Sequence, residues 1–265
     1  MTVFKLMRVV ALLSILLALV VGTWMTEKRL ASWDRPAWVA VYPIVADDAA
    51  VTLDYAQSVD ESTFAAVNEF MARESMPYGI RVTPAFYIQV AQVSTELPPE
   101  IPDRYSPVAI AWWSLKMRWW AWRMGFNDDL AGTDIQMFVL YHGVNGRTEV
   151  GISVGMRKGR YGVVNAFAKK SMHQRNLVVF THELMHVFGA SDKYIRATGE
   201  PEYPFGYADP NQHPLFPQKR AEIMGGRIPT SSFVSKMPRS LKQCKIGRQT
   251  AEEIGFFAQL LEEGL

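Results

Sequence analysis

The chain has 265 residues, 49% hydrophobic and 20% charged, enough to bury a sizeable core around one main domain. Lys5 and Arg8 account for the formal surplus of +2, so the remainder is balanced and advertises no nucleic-acid partner. A single cysteine, Cys244, excludes an intrachain disulfide framework and a thiolate cluster, so any bound metal has to be held by nitrogen and oxygen.

In chain order, residues 1–8 form a short basic segment. "VVALLSILLALVVGTWM", Val9 to Met25, then runs seventeen residues without a charge. That pattern fits a secretory signal or a single membrane anchor. The run ends in "VVGTWMTEK" rather than in small residues of a cleavage site, and Trp24 sits near the expected interface, which favours an uncleaved single-pass anchor. Lys28, Arg29 and Arg35 oppose Lys5 and Arg8, so charge specifies orientation weakly; the expectation is an extracytoplasmic domain. Residues 26–36 read as a polar linker and 37–265 as the domain.

"WVAVYPIVAD" and "VTLDYAQSV" read as strands, and "DESTFAAVNEFMARES" as a helix with Phe64, Val67, Phe70 and Met71 on one face. Strand-like "GIRVTPAFYIQVAQV" precedes a proline-rich loop, "TELPPEIPDRYSP". An aromatic helix over 108–124 follows, with Gly125 as its stop signal. Its Ile110, Trp113, Met117, Trp120 and Met124 form one stripe, and Trp112, Leu115, Trp119 and Trp122 a second. Such a face either packs into a core or dips into lipid headgroups. "DIQMFVLYHG", "EVGISVG" and "VVNAFAK" read as strands, a further helix starts near Gln174, and a last one spans 248–263. Without regular βαβ alternation, the expected class is α+β.

The helix near Gln174 carries "FTHELMHVFGASDKY". At about 100° per residue, His182 and His186 lie roughly 40° apart and one turn along, so both imidazoles can reach one ion. Glu183 projects beside the pair, where a general base for a metal-activated water is needed. A catalytic zinc site takes three protein ligands and an open position. Gly189 can adopt a positive φ and turn the chain back, which brings Asp192 toward the metal as a third ligand.

"HELMHVFGASD", His182 to Asp192, resembles the metzincin signature H-E-x-x-H-x-x-G-x-x-H, with aspartate in the third ligand place as in the snapalysin-like branch. Metzincins also place a methionine turn below the metal, and "EIMGG" offers Met224. The resemblance covers Thr181 to Gly226 in two pieces. It implies a zincin domain with a twisted mixed sheet, an active-site helix and a Met-turn. By implication, Zn2+ sits on His182, His186 and Asp192, Glu183 is the base, and a peptide or protein is the substrate. Many metzincins have a tyrosine soon after the methionine; here Gly225 and Gly226 follow, which leaves Tyr194 or Tyr207 as candidate phenols.

Other third ligands remain open at this stage: His213, Glu200, Glu202 or Glu222. His142 and His173 fall at element ends and read as surface or capping residues. A reading from another class is a membrane-tethered zinc-binding interaction or assembly protein without catalysis, which a fourth ligand from His213 would favour.

Overall fold

The computed structural model describes residues 3–100, 102, 106–128, 130, 132–144, 151 and 153–257. Helix α1, Val3–Ser32, is long and apolar enough to cross a membrane. Leu12, Leu13, Ile15, Leu16 and Leu17 are all exposed, so the helix is apolar on every side, as a span in lipid requires. The helix carries on where a polar linker was expected. Lys28 and Arg29 are good helix formers, the Ser32 hydroxyl donates to the Arg29 carbonyl at 2.9 Å, and Trp33 then turns the chain at φ 52. Trp33 is buried: it stacks on Phe188 at 4.7 Å, meets Phe86 and Phe256 edge-on, and donates Nε1–H to the Ile254 carbonyl at 2.8 Å. Leu30 is buried as well, and Arg29 pairs with Asp134. The root of α1 is thus part of the domain core.

The domain is mixed α/β around one mixed sheet. Its strands are β1 (Ala37–Val45), β2 (Phe86–Val90), β3 (Ile135–His142), β4 (Val154–Met156) and β5 (Tyr161–Phe167), in the order β2-β1-β3-β5-β4. Neighbours from β2 to β5 are parallel, and β4 lies antiparallel on the edge. β1 is buried on both faces along nearly its whole length, which its apolar sequence matches. Parallel neighbours need crossovers. Helices α2 (Ala50–Gln57) and α3 (Ala65–Ser75) supply the first, and α4 (Pro107–Asn127) the second, so βαβ character is stronger than expected. Helix α5 (His173–Phe188) packs against β4 and β5, and α6 (Arg248–Glu253) closes the described chain.

Several elements differ from expectation. "VTLDYAQSV" is helix α2: Val51 and Leu53 are exposed, whereas Thr52 and Ala56, four apart, are buried, so the apolar alternation was not the buried face. Helix α4 runs through Gly125 to Asn127, because Gly125 makes room for the Gln136 side chain, whose Nε2 donates to the Ala121 carbonyl at 3.1 Å. β2 covers only Phe86–Val90 of the longer strand expected. The last helix stops at Glu253, before Gly255 at φ 90; its expected residues 258–263 lie outside the described residues, as do residues 149 and 150 of the expected β4 strand. The buried face of α3 is the expected one.

The two stripes of α4 separate in the structure. Met117, Trp120 and Met124 are buried on the sheet, with Trp120 at 4.5 Å from Phe138, whereas Trp112, Leu115, Trp119 and Trp122 face outward. Truncating the aromatic at the root of α1 tests the junction: Trp33→Ala should lower unfolding stability by about 3–5 kcal/mol, and Trp24→Ala, on the exposed part of α1, should not. Denaturant unfolding of the detergent-solubilised chain measures both.

Candidate metal centre

Helix α5 buries Leu177, Phe180, Leu184 and Met185 in the core and carries His182 and His186 on its half-buried side. Gly189 ends it at φ 108; its N–H donates to the His186 carbonyl at 3.0 Å and the Ala190 N–H to Met185 at 3.0 Å. A Cβ-bearing residue is strained at that φ. The reversal brings Asp192 back over the helix: its Oδ1 lies 3.0 Å from His186 Nε2 and 3.4 Å from His182 Nε2. One ligand atom from each of the three lies within 4.8 Å of the others, so this group could hold a metal ion.

The hydrogen bonds say which atoms are free. His182 Nδ1 lies 2.9 Å from the Ile223 carbonyl and His186 Nδ1 2.8 Å from the Ala190 carbonyl. A carbonyl can only accept, so both Nδ1 atoms carry a proton and, in the neutral imidazoles that a metal needs, both Nε2 atoms present a lone pair. Those lone pairs face Asp192 Oδ1, a buried oxygen without a hydrogen-bond partner. Three acceptors converging with no proton between them are repulsive until a cation joins them, so these residues fit a divalent metal. With no cation between them, protons relieve the same crowding. Burial works against the Asp192 charge, yet hydrogen bonds that His182 and His186 can donate once their Nε2 atoms are protonated hold its carboxyl well below the usual range. Burial likewise opposes His182, and Asp192 and Glu183 raise it nonetheless.

Glu183 is 6% exposed, its Oε2 is buried without a hydrogen-bond partner, and burial raises its pKa against the pull of the two histidines. The backbone of Gly155 in β4 bonds to it. Any Cβ at Gly155 would run into the Glu183 carbonyl and the His186 Cβ, so only glycine lets β4 approach the helix this closely. A cleft of about 770 Å³ opens there, bounded by Ser153, Gly155, Glu183, His186, Asp192 and Tyr194.

Beneath the histidines, Met224 is fully buried in a turn whose Ile223 carbonyl orients His182. Its own carbonyl accepts from the Lys193 N–H at 3.0 Å, tying the turn to the loop that carries Asp192. Glu222 anchors the turn: fully buried, it accepts from the N–H groups of Met224 (2.6 Å), Gly225 (2.8 Å) and Gly247 (3.1 Å) and from the Thr250 hydroxyl (2.7 Å). Burial raises its pKa, and the four donors act in the opposite direction. The Asp192 loop has its own clamp, in which the buried Lys193 ammonium holds the Ser191 carbonyl, the Ser191 hydroxyl and Glu253.

Of the alternative third ligands, Glu222 is occupied by these bonds, and His213 and Glu202 are exposed on the loop; none joins the group among the described residues. Tyr194 borders the cleft, 6.3 Å from the His182 ring, with its pKa raised by burial and by Asp192. Tyr207 packs against Tyr203 and Phe216 instead. His142 bonds to Asn165 at 2.7 Å, and His173 opens α5. The sequence offers Glu222 as a candidate ligand, whereas it anchors the turn; Gly155 and the Lys193–Glu253 clamp were not read from the sequence at all. A glycine inside a strand-like run was a visible cue for Gly155; the two long-range partners of Glu222, Gly247 and Thr250, are 25 and 28 residues away and gave none.

No family model and no curated protein matches the chain. Among solved structures, it overlaps a chain described as the structure of a chaperone-substrate complex, covering 86% of this chain and 35% of that one, at 12% identity and a TM-score of 0.39. A likeness of that size carries no argument about fold or function.

Metal analysis of the purified full chain tests the centre. Asp192→Ala should weaken metal binding by more than the roughly 10–100-fold typical of losing an outer partner. Glu222→Gln, which puts an amide donor against a donor-rich turn, should weaken it within that range. Unchanged binding in Asp192→Ala would remove the third ligand.

Proposed function

We propose that this chain is a membrane-anchored zinc-dependent endopeptidase of metzincin-like fold, with α1 as the anchor and the cleft beside α5 as the active site. The observation that carries the reading is the convergence of His182 Nε2, His186 Nε2 and Asp192 Oδ1 around one point, with Glu183 beside them. Three further features support it: the mixed sheet, the site helix ended by Gly189, and the buried Met224 turn under the histidines. These are the parts that the signature in the sequence implies.

His182, His186 and Asp192 would hold the zinc, which supplies Lewis acidity for the scissile carbonyl and for an attacking water. The protein groups do the rest. Glu183, buried and with one oxygen unpartnered, accepts the proton of that water and passes it to the leaving amine. Its raised pKa suits that exchange, because a stronger base takes a proton more readily near neutrality. The Ile223 and Ala190 carbonyls keep each Nδ1 protonated and each Nε2 aimed at the site. β4, the edge strand among the described residues, borders the cleft through Gly155 and offers backbone groups to an extended chain. Among the described residues, Tyr194 is the phenol that borders the cleft.

A non-catalytic zinc protein needs a closed site of four ligands. Three are grouped among the described residues, which favours an open centre.

Digestion of a broad peptide library measures the activity. Glu183→Ala should retain zinc and lose at least about 10²–10⁴-fold in cleavage rate, the usual contribution of a general base; wild-type cleavage by that variant rejects the assignment. The pH profile has a set direction. Glu183 must be ionised to act, and its pKa lies above the ordinary 4.5, so kcat/KM should fall as pH is lowered through that raised value. An acid limb centred at or below 4.5 would contradict Glu183 as the group controlling it.

A further inference from the structure

Helix α4 is apolar on two opposite faces. The inner one rests on the sheet. On the outer one, at about 100° per residue, Val108, Trp112, Leu115, Trp119, Trp122 and Phe126 fall within a single narrow arc, and each is at least 58% exposed. Six large apolar side chains in one continuous row form the kind of patch that soluble surfaces avoid. The row is edged by cations: Lys116 and Arg123 lie along one flank, Arg118 along the other, and α4 contains no acidic residue. The Lys116 ammonium lies 5.6 Å from the Trp112 ring and the Arg123 guanidinium 4.9 Å from Trp119. Arg123 also pairs with Glu96.

The position of this row relates it to α1. The parallel strands all begin at one edge of the sheet, where Ala37 pairs with Phe86, Val39 with Ile135 and Gln136 with Tyr161. The C-terminal end of α4 comes down to that edge, and Arg118, Trp122, Phe126, Asp134 and Arg160 share one cleft of about 280 Å³ there. Asp134 is also the partner of Arg29 at the root of α1. On the same edge the exposed Trp38 and Tyr87 rings contact at 5.3 Å, beside exposed Arg35. Trp33 buries the junction, so α1 leaves the domain in a fixed direction rather than on a hinge. Tryptophan, tyrosine and arginine gathered where an apolar span ends are the side chains that the headgroup region of a membrane accepts best.

We propose that the outer face of α4 is a membrane-contact surface, lying on the bilayer that α1 crosses, with its aromatic row among headgroups and upper acyl chains and its cationic flanks against anionic phospholipid. This rests on α1 being the anchor, though not on the peptidase chemistry. A bilayer is favoured over a protein occupant because α1 brings the end of α4 that carries Trp122 and Phe126 to the lipid surface whatever else the domain meets, and because the cationic flanks complement anionic headgroups.

Depth-dependent quenching tests it. The full chain is reconstituted into phosphatidylcholine–phosphatidylglycerol vesicles, with single-cysteine variants Leu115→Cys, Trp122→Cys, Leu16→Cys and Ser232→Cys labelled with bimane. Cys244 is buried and stays unlabelled. Brominated lipid should quench the Leu115 and Trp122 labels severalfold more than the exposed Ser232 control, and iodide should quench them less than that control. Quenching by iodide alone overturns the proposal, as does shielding from both quenchers, which would mean that a protein or a second copy covers the row. The Leu16 label separates the two layers of the argument: if lipid fails to quench it, α1 is no anchor and the proposal falls with it; if lipid quenches Leu16 and spares Leu115 and Trp122, only the α4 surface falls.

Discussion

Two backbone carbonyls orient the histidines of the candidate metal site. Ile223 and Ala190 each take the Nδ1 proton of one histidine, and by doing so they leave both Nε2 lone pairs facing the Asp192 carboxylate. Like poles brought together in a half-buried space cost energy unless a cation sits between them. The hydrogen bonding therefore suits the group to a cation, independent of any motif. It also makes the centre depend on two separate backbone segments, since Ala190 follows α5 directly whereas Ile223 comes from a turn more than thirty residues later.

That second segment explains why a carboxylate is buried without being a ligand. Glu222 has no exposed surface and four donors, three of them backbone N–H groups in the turn or near the start of α6. Donors to the charged form offset the desolvation that raises its pKa. Glu222 fixes the Met224 turn, the turn fixes Ile223, and Ile223 fixes the tautomer of His182. On the other side Lys193, Ser191 and Glu253 fix the loop that presents Asp192. The grouped side chains are three, and each is oriented by a neighbour whose own polar groups are satisfied.

The parts legible in the sequence were those whose physics is local. The one-turn spacing of His182 and His186, the reversal at Gly189 and the arrival of Asp192 three residues later are consequences of helix geometry and of glycine's access to positive φ, and the structure brings these residues together. The apolar face of α3 was legible for the same reason. The errors came where local pattern was ambiguous. In "VTLDYAQSV" the exposed Val51 and Leu53 imitated a strand's alternation, while the smaller Thr52 and Ala56 made the buried contact. At Gly125 a helix-stop signal proved to be a point of close approach to a side chain from β3. Glu222, Gly155 and the burial of Trp33 depend on contacts between distant segments, which periodicity cannot register.

Trp33 joins the two ends of the molecule. It stands one residue past α1 and stacks on Phe188, which is two residues past His186 and one before Gly189. Phe86 and Phe256 close the same aromatic group, and the indole N–H is tied to Ile254, just after α6. A tilt of α1 relative to the domain would have to break this packing or displace the last turn of α5. That last turn supplies the His186 and Met185 carbonyls that hold Gly189 and Ala190, and Ala190 in turn holds the His186 imidazole. The apolar helix and the His182–His186–Asp192 group therefore cannot move independently: the same close packing that buries the root of α1 fixes the geometry in which the three side chains converge.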